Sequence, residues 1–350
     1  MALSSLLSVG SYPVVKIRSA VRWGAAAFLF SAIVAGAGPA LADEDEQGVF
    51  NLVVENDLFL GSDQHYTNGF QASWTSGPNR VPVWMLDAAR LLPLFPPGGT
   101  VRANFAVGQS MYTPADISLR DPPLTDRPYA GWLYASLGLV AKGEDSLDQL
   151  QLQVGMVGPA SFAEQAQKTV HKIIGSQEPM GWNYQLKNEP GVVLTYQHSW
   201  RTLSSSASPF GFKFDLTPHA GAALGNVFTY ANAGATLRFG WNLPDDYGPP
   251  RVQPSLPASG FFESQSNFGW YLFAGVEGRA VARNIFLDGN TFVDSRSVSK
   301  EPLVADLQVG IAVTLGHSTR LAYTQVFRTR EFSGQRDADK FGAISLSMRF

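Results

Sequence analysis

The 350-residue chain contains no cysteine. That excludes a disulfide framework, a thiol nucleophile and a thiolate metal site. Charge is sparse and nearly balanced, with 26 Lys and Arg against 29 Asp and Glu and a net charge of -3. Such a chain offers no basic field for nucleic acid. Beyond residue 42 no uninterrupted apolar run is long enough for a transmembrane helix, which argues against a helical membrane protein. There is no Gly-x-Ser-x-Gly elbow to hold a serine nucleophile. A second domain, an internal repeat and a low-complexity tract are also missing.

The first residues read as an export signal. Lys16, Arg18 and Arg22 precede an uncharged apolar stretch, Gly24 to Gly38, and Ala40-Leu41-Ala42 offers the small residues of a cleavage site. The apolar stretch is short for a membrane anchor. The expectation is a signal peptide over 1–42 and a mature chain over 43–350.

The mature chain is strand after strand with period two. Leu150, Leu152, Val154 and Met156 alternate with Gln149, Gln151, Gln153 and Gly155. Leu303 to Leu315 and Ile344 to Phe350 alternate in the same way. A soluble β-sandwich has this pattern, and so does a membrane barrel with lipid outside and a polar interior. Three features favour the barrel: the signal, a final strand ending in Phe350, and aromatics at strand ends. The aromatics are Tyr112, Trp132, Tyr134, Trp200, Trp241, Trp270 and Tyr271, expected as interfacial girdles. The predicted fold is therefore an all-β transmembrane antiparallel β-barrel of about twelve strands. The segments are 49–57, 66–76, 101–112, 132–142, 149–157, 191–202, 211–221, 230–242, 268–280, 302–315, 318–329 and 341–350. With both termini periplasmic, the tight Gly316-His317-Ser318 turn falls on the periplasmic side. Val81 to Gly99, with a short helix over Val83 to Leu92, and the Pro- and Gly-rich Leu243 to Asn267 become long periplasmic connections.

The same parity gathers polar residues at the extracellular mouth. The first strand ends in Glu55-Asn56-Asp57, and the second begins at Tyr66-Thr67-Asn68-Gly69. Asp57 shares the inward parity of Asn51 and Glu55, and Thr67 that of Gln71 and Ser73, so both are expected in the lumen. Taken alone, Asn56-Asp57 reads equally as a turn dipeptide. Ala163 to Ile174 reads as a short helix in an extracellular loop, closed by Gly175. It puts Gln167 and His171 on one face, four residues apart. His171 suits a general base, since histidine titrates near working pH. Asp57, Asn56 and main-chain carbonyls make an oxygen-rich candidate calcium site. Calcium would polarise an ester carbonyl while His171 deprotonates water. Arg120 and Arg127 read either as phosphate clamps or as solvated loop charges.

Four elements together resemble the outer-membrane lipid A 3′-O-deacylases of the LpxR type. They are Glu55-Asn56-Asp57, Tyr66-Thr67-Asn68-Gly69, the block Asp126 to Trp132, and Gln167-x-x-x-His171-x-Ile173-Ile174-Gly175. The resemblance covers nearly the whole mature chain. It implies a twelve-stranded barrel that uses calcium to remove the 3′ acyloxyacyl group of lipopolysaccharide. It also implies an active centre of Asn56 and Asp57, with Asp57 near the metal, Thr67 as hydroxyl, Gln167 as supporting amide and His171 as base. Where the family carries a glutamate shortly after the histidine, this sequence has Gln177 followed by Glu178. The implied partners are lipid A and outer-membrane lipid, without nucleic acid or an obligate protein.

Two other readings stay open on the residues alone. An outer-membrane phospholipase-like esterase would need a site on the lipid-facing wall, against the expected inward parity of Thr67. A channel or structural barrel would need an open lumen, whereas a barrel of this size used as an enzyme should be largely filled.

Overall fold

The computed structural model describes residues 48–57, 65–91, 95, 99–204, 211–249, 252 and 261–350. The expected signal peptide, 1–42, lies outside the described residues. The strands are β1 Val49–Asn56, β2 His65–Thr75, β3 Thr100–Thr113, β4 Ala130–Lys142, β5 Ser146–Val157, β6 Glu189–Trp200, β7 Leu203–Ser204, β8 Phe212–Gly225, β9 Phe228–Trp241, β10 Phe268–Asn284, β11 Leu303–Leu315, β12 Thr319–Arg328 and β13 Asp339–Arg349. Apart from β6 and β7, each strand pairs antiparallel with its chain neighbours, and β1 pairs with β13. The two-residue β7 only prolongs the β6 edge along β8. β6 pairs directly with β8, which closes a ring of twelve strands. Closure leaves no strand edge facing lipid, where an unpaired backbone group is costly.

The period-two pattern sorts the two faces as expected. Phe70, Val107, Leu133, Leu137, Leu152, Val154, Leu272, Ile311 and Leu321 point outward and are exposed. Gln71, Ser73, Gln151, Thr195, Arg238, Arg279 and Ser345 point inward and are buried. The aromatic assignment divides. Trp200, Trp241 and Trp270 have outward parity, as a girdle requires. Tyr112, Trp132, Tyr134 and Tyr271 face the lumen and are almost fully buried. They are core residues, and a strand-end position alone does not tell a girdle from a lid.

The lumen is filled along its length. At the end away from the chain termini, expected to be extracellular, Tyr66, Tyr112, Trp132 and Phe341 pack with Ile285 and Phe286 of α3 (Ile285–Asp288). Lower down, Arg279 and Arg328 both grip Asp306, with hydrogen bonds from 2.9 to 3.1 Å. At the periplasmic end the connection after β9 turns back into the barrel as a strap. Its Asp246, fully buried, binds the guanidinium groups of Arg238 and Arg320 and accepts the Tyr271 hydroxyl at 3.1 Å. Its Asp245 pairs with Lys142 at 2.5 Å and Arg201 at 2.8 Å. Burial pushes the Asp245 carboxyl up, but those two cations outweigh burial and hold it below the ordinary carboxylate range. A short helix, α1 (Val83–Ala89), stands in the periplasmic connection between β2 and β3, within the expected Val83 to Leu92.

Asp246 holds two arginines that no water reaches. Replacing it with Ala leaves two buried cations short of a partner, a class of change that costs about 3–5 kcal/mol. Asp246→Ala should therefore unfold at clearly lower urea than the parent barrel, read by loss of heat-modifiable migration. An unshifted midpoint would mean that the strap does not stabilise the barrel.

Candidate active site

The loop between β5 and β6 packs on β3 and β4 at the end expected to be extracellular, and the first hairpin adjoins β3 at that same end. Asn56 ends β1 opposite Asn68 of β2, and Asp57 follows in the first turn, buried. Tyr66 lies opposite Tyr112 while Asn68 lies opposite Met111, so Thr67 is an extra residue on β2. This is a β-bulge, a device often found beside active sites. It follows His65, whose φ of 64° is left-handed. The His65 ring is anchored at 2.5 Å to Asp339.

The bulge decides where the hydroxyl points. Tyr66 stays inside, donating to Glu55 Oε2 at 2.8 Å and packing against Phe341 with ring centres 5.0 Å apart. Thr67 then turns to the outer wall. Its Oγ1 lies 2.7 Å from Oγ1 of Thr113, which shares the outward parity of Val107. The expectation that Thr67 faces the lumen is thereby corrected. Simple alternation carries across a strand only while its register is unbroken, and here one residue is inserted.

The helix α2 (Ala163–Ile174) lies on the outside of the same wall. Gly131, of outward parity on β4, has no room for a Cβ because Ser161 and Ala163 rest on it. Gln109 of β3 donates to the Ser161 carbonyl at 2.6 Å. Met111 and Ile117 pack with Ala163, Tyr129 and Trp182. The helix closes on Gly175 in the left-handed conformation at φ 65°, as expected of a glycine cap. Its buried face carries Ala163, Gln167 and His171, and its outer face carries the exposed Val170 and Ile173.

Both polar side chains on the buried face are locked. Gln167 Oε1 accepts from the Trp182 indole at 2.8 Å. That fixes which end of the amide is the donor, and Gln167 Nε2 is buried with no hydrogen-bond partner. His171 Nδ1 donates to the main-chain oxygen of Gln177 at 2.5 Å. A donating Nδ1 makes Nε2 the basic nitrogen of the neutral ring. The sequence position where a glutamate was expected thus contributes a carbonyl to His171, while the Gln177 and Glu178 side chains are exposed.

The arginines separate. Arg120 is exposed on the loop after β3. Arg127 is not a surface clamp: it is fully buried over the lumen, 3.3 Å from Glu331 and 4.7 Å above the Tyr112 ring. Pro128 and the inward Tyr112 draw this loop over the barrel mouth, and the guanidinium goes with it. Burial pushes the Glu331 carboxyl up, but Arg328, Arg127 and Arg279 outweigh burial and hold it below the usual range. Thr113 and Trp182 carry no motif of their own and were not legible as site residues. The one hint was an aromatic pair, Trp182 and Tyr184, inside a polar loop.

Among the described residues no three His, Asp or Glu side chains stand close enough to hold a metal. A calcium ion here would therefore need neutral oxygens beside Asp57. The donors at hand are all oxygen: the Asp57 carboxylate, the Asn56 amide, the Thr67 hydroxyl and main-chain carbonyls. Calcium accepts that kind of set.

The family described as outer membrane protein LpxR matches residues 27–350. Of solved structures, LpxR from Salmonella typhimurium superposes with a TM-score of 0.69 at 20% identity, over 86% of this chain and 100% of that one. The β domain of the Bordetella autotransporter BrkA gives 0.43 at 10% identity, over 87% of this chain and 100% of its own. No curated protein sequence matches.

The two arginines should respond differently to removal. Arg120→Ala should leave the fold intact. Arg127→Ala should destabilise it, because Glu331 loses a buried partner. Glu331 is depressed when folded, so its contribution is present above the unfolded glutamate value and fades as pH falls through the folded one. Urea midpoints at neutral and acid pH should thus converge for Arg127→Ala relative to its parent. Equal pH dependence in both proteins would remove the Arg127–Glu331 pair from the stability argument.

Proposed function

The chain belongs to the family of outer membrane protein LpxR, and from that premise we propose that it is a lipid A deacylase of the outer membrane. The barrel is integral to that membrane, so its substrate is reached from the bilayer. The observation that carries the reading is a histidine oriented by the Gln177 carbonyl, on a helix packed against the outer side of β3 and β4, the same wall whose Thr113 meets the Thr67 hydroxyl. The substrate is the outer-leaflet lipid A of lipopolysaccharide, and the bond is the 3′-acyloxyacyl ester.

His171 Nε2 takes a proton from water, with its ring held by the Gln177 carbonyl. The hydroxide adds to the ester carbonyl. The tetrahedral intermediate collapses with cleavage of the acyl carbon–oxygen bond, and His171 returns the proton to the departing sugar 3′ oxygen. The products are an acyloxyacyl carboxylic acid and a free hydroxyl. Gln167 Nε2, a donor with no partner in the protein, is available to the substrate oxygen. Asp57, Asn56 and Thr67 would hold calcium, which when bound polarises the scissile carbonyl. Arg120 is the cation left to meet a glucosamine phosphate.

An esterase acting on glycerophospholipid remains chemically close, because an outward Thr67 puts the site where such a lipid would also arrive. Family membership is what favours lipid A. A channel is disfavoured by the filled lumen.

Mass spectrometry of lipid A from cells with and without the protein tests the substrate. A loss equal to one acyloxyacyl unit is expected, and it should disappear in His171→Ala, since a lost general base costs about 10²–10⁴-fold in rate. Unchanged lipid A together with newly formed lysophospholipid would move the assignment to a phospholipase. EDTA should abolish the activity and calcium restore it, with Asp57→Asn needing more calcium than the parent. Activity indifferent to EDTA would end the calcium reading.

A further inference from the structure

The periplasmic helix α1 does not hang below the barrel. Its buried Met85 and Ala89, with Phe95, pack on Val101, Ala103, Leu139 and Ala141. Those four have the parity of the exposed Val107 on β3 and Leu137 on β4. Their inward neighbours point into the lumen: Arg102 reaches Glu263 at 2.9 Å, and Lys142 reaches Asp245. The helix therefore lies on the wall that faces lipid.

The level at which it lies is fixed by the wall beside it. Asp148, two residues above the periplasmic end of β5, has outward parity and is buried, accepting from Tyr196 at 2.6 Å and His198 at 2.7 Å. Tyr196 packs against the α1 cluster, and Trp200 meets His198 with ring centres 4.5 Å apart. Trp74 stacks on Phe105 at the neighbouring periplasmic ends of β2 and β3. A carboxylate, a histidine and amphipathic aromatics on a lipid-facing wall mark the headgroup boundary.

What remains of α1 is itself two-sided. At 100° per residue, Trp84 and Ala88 fall on one flank of the buried stripe, and Leu91 follows in the turn that ends the helix. Leu91 is 82% exposed and Trp84 57%. On the other flank Asp87 and Arg90 pair at 2.9 Å, exposed. One flank suits hydrocarbon and the other water.

We propose that α1 is an interfacial helix seated in the periplasmic leaflet of the outer membrane. Its Trp84–Ala88 flank, with Leu91 of the turn after it, meets phospholipid at the boundary of headgroup and acyl chain. The occupant is lipid, not a protein, because the flank continues a wall already in contact with lipid and sits at its girdle. It is an attachment in the leaflet opposite the one that holds the proposed substrate, beneath the same two strands, β3 and β4, that carry α2 above.

The absence of cysteine supplies the test. Ala88→Cys, Leu91→Cys and Asp87→Cys are made singly in the full chain, labelled with a bimane fluorophore and reconstituted in phosphatidylethanolamine–phosphatidylglycerol vesicles. Ala88→Cys removes no large side chain, so at least one reporter stays on a folded helix, checked by heat-modifiable migration. Positions 88 and 91 should be quenched roughly threefold more than position 87 by lipids carrying a nitroxide near the headgroup, as for a helix sunk about 5–10 Å into the interface. Aqueous iodide should show the opposite order. Equal lipid quenching at all three positions, or iodide quenching as strong at 88 and 91 as at 87, would overturn the proposal. Shielding of 88 and 91 from both quenchers would also overturn it, since that is the signature of a second protein surface.

Discussion

Closure of the sheet is the constraint from which the rest follows. Inside a bilayer each backbone N–H and C=O needs a partner within the protein, and a ring of strands is one of two solutions. Here β6 meets β8 directly, with β7 only continuing that seam. Once the ring is closed, each strand residue faces either lipid or the lumen, and alternation becomes a rule of chemistry. Departures from the rule then carry information. Thr67 departs through an inserted residue, and Asp148 departs by placing a carboxylate outside. Each departure marks a place where the wall does something besides hold lipid.

The lumen shows how such a barrel avoids being a pore. Its charges are grouped so that each is answered: Asp306 by two arginines, Asp246 by two more, Glu331 by three. An ion buried alone would be costly, and one held by several partners less so. The strap from the periplasmic side and α3 from the extracellular side fill what the strand side chains leave open. In the proposed reading the site lies on the exterior, and a packed interior supports the wall on which α2 rests. Arg127 belongs to this interior network. Its burial beside Glu331 explains why it serves the fold while the neighbouring Arg120 stays in solvent.

Most of the architecture was legible in the sequence because period-two patterning reports burial directly. All twelve ring strands fall within a few residues of the expected segments. The α2 boundaries follow from its pattern and from Gly175. What was not legible has a common physical reason. Parity says which face a residue takes but not what lies over that face. Trp132 and Tyr134 look like girdle residues until α3 is seen beneath them. Leu139 and Ala141 look like lipid contacts until α1 is seen upon them. The bulge is harder still: Tyr66 and Thr67 are consecutive and buried, and the sequence holds no mark of the extra residue apart from His65, whose left-handed conformation only the structure reveals.

In the proposed reading, a Thr67 on the outer wall takes the site out of the barrel lumen. A site in the lumen would have to draw a lipid tail out of the membrane and into a channel packed with arginines. A site between the wall and α2 lets an ester approach while its chains remain among other chains. The cost of transferring acyl surface into water, about 0.8 kcal/mol for each CH₂, is then avoided for most of the chain. Specificity in such a place rests on the few polar groups that face the wall. Gln167 and His171 are there with their orientations already set, one by an indole and one by a carbonyl. Both anchors come from the same stretch of chain, residues 177–182, so α2 and the turn that follows it act as one unit. Gly131 is what lets that unit approach the strands, because any side chain there would lift the helix, and with it both polar groups, away from the barrel.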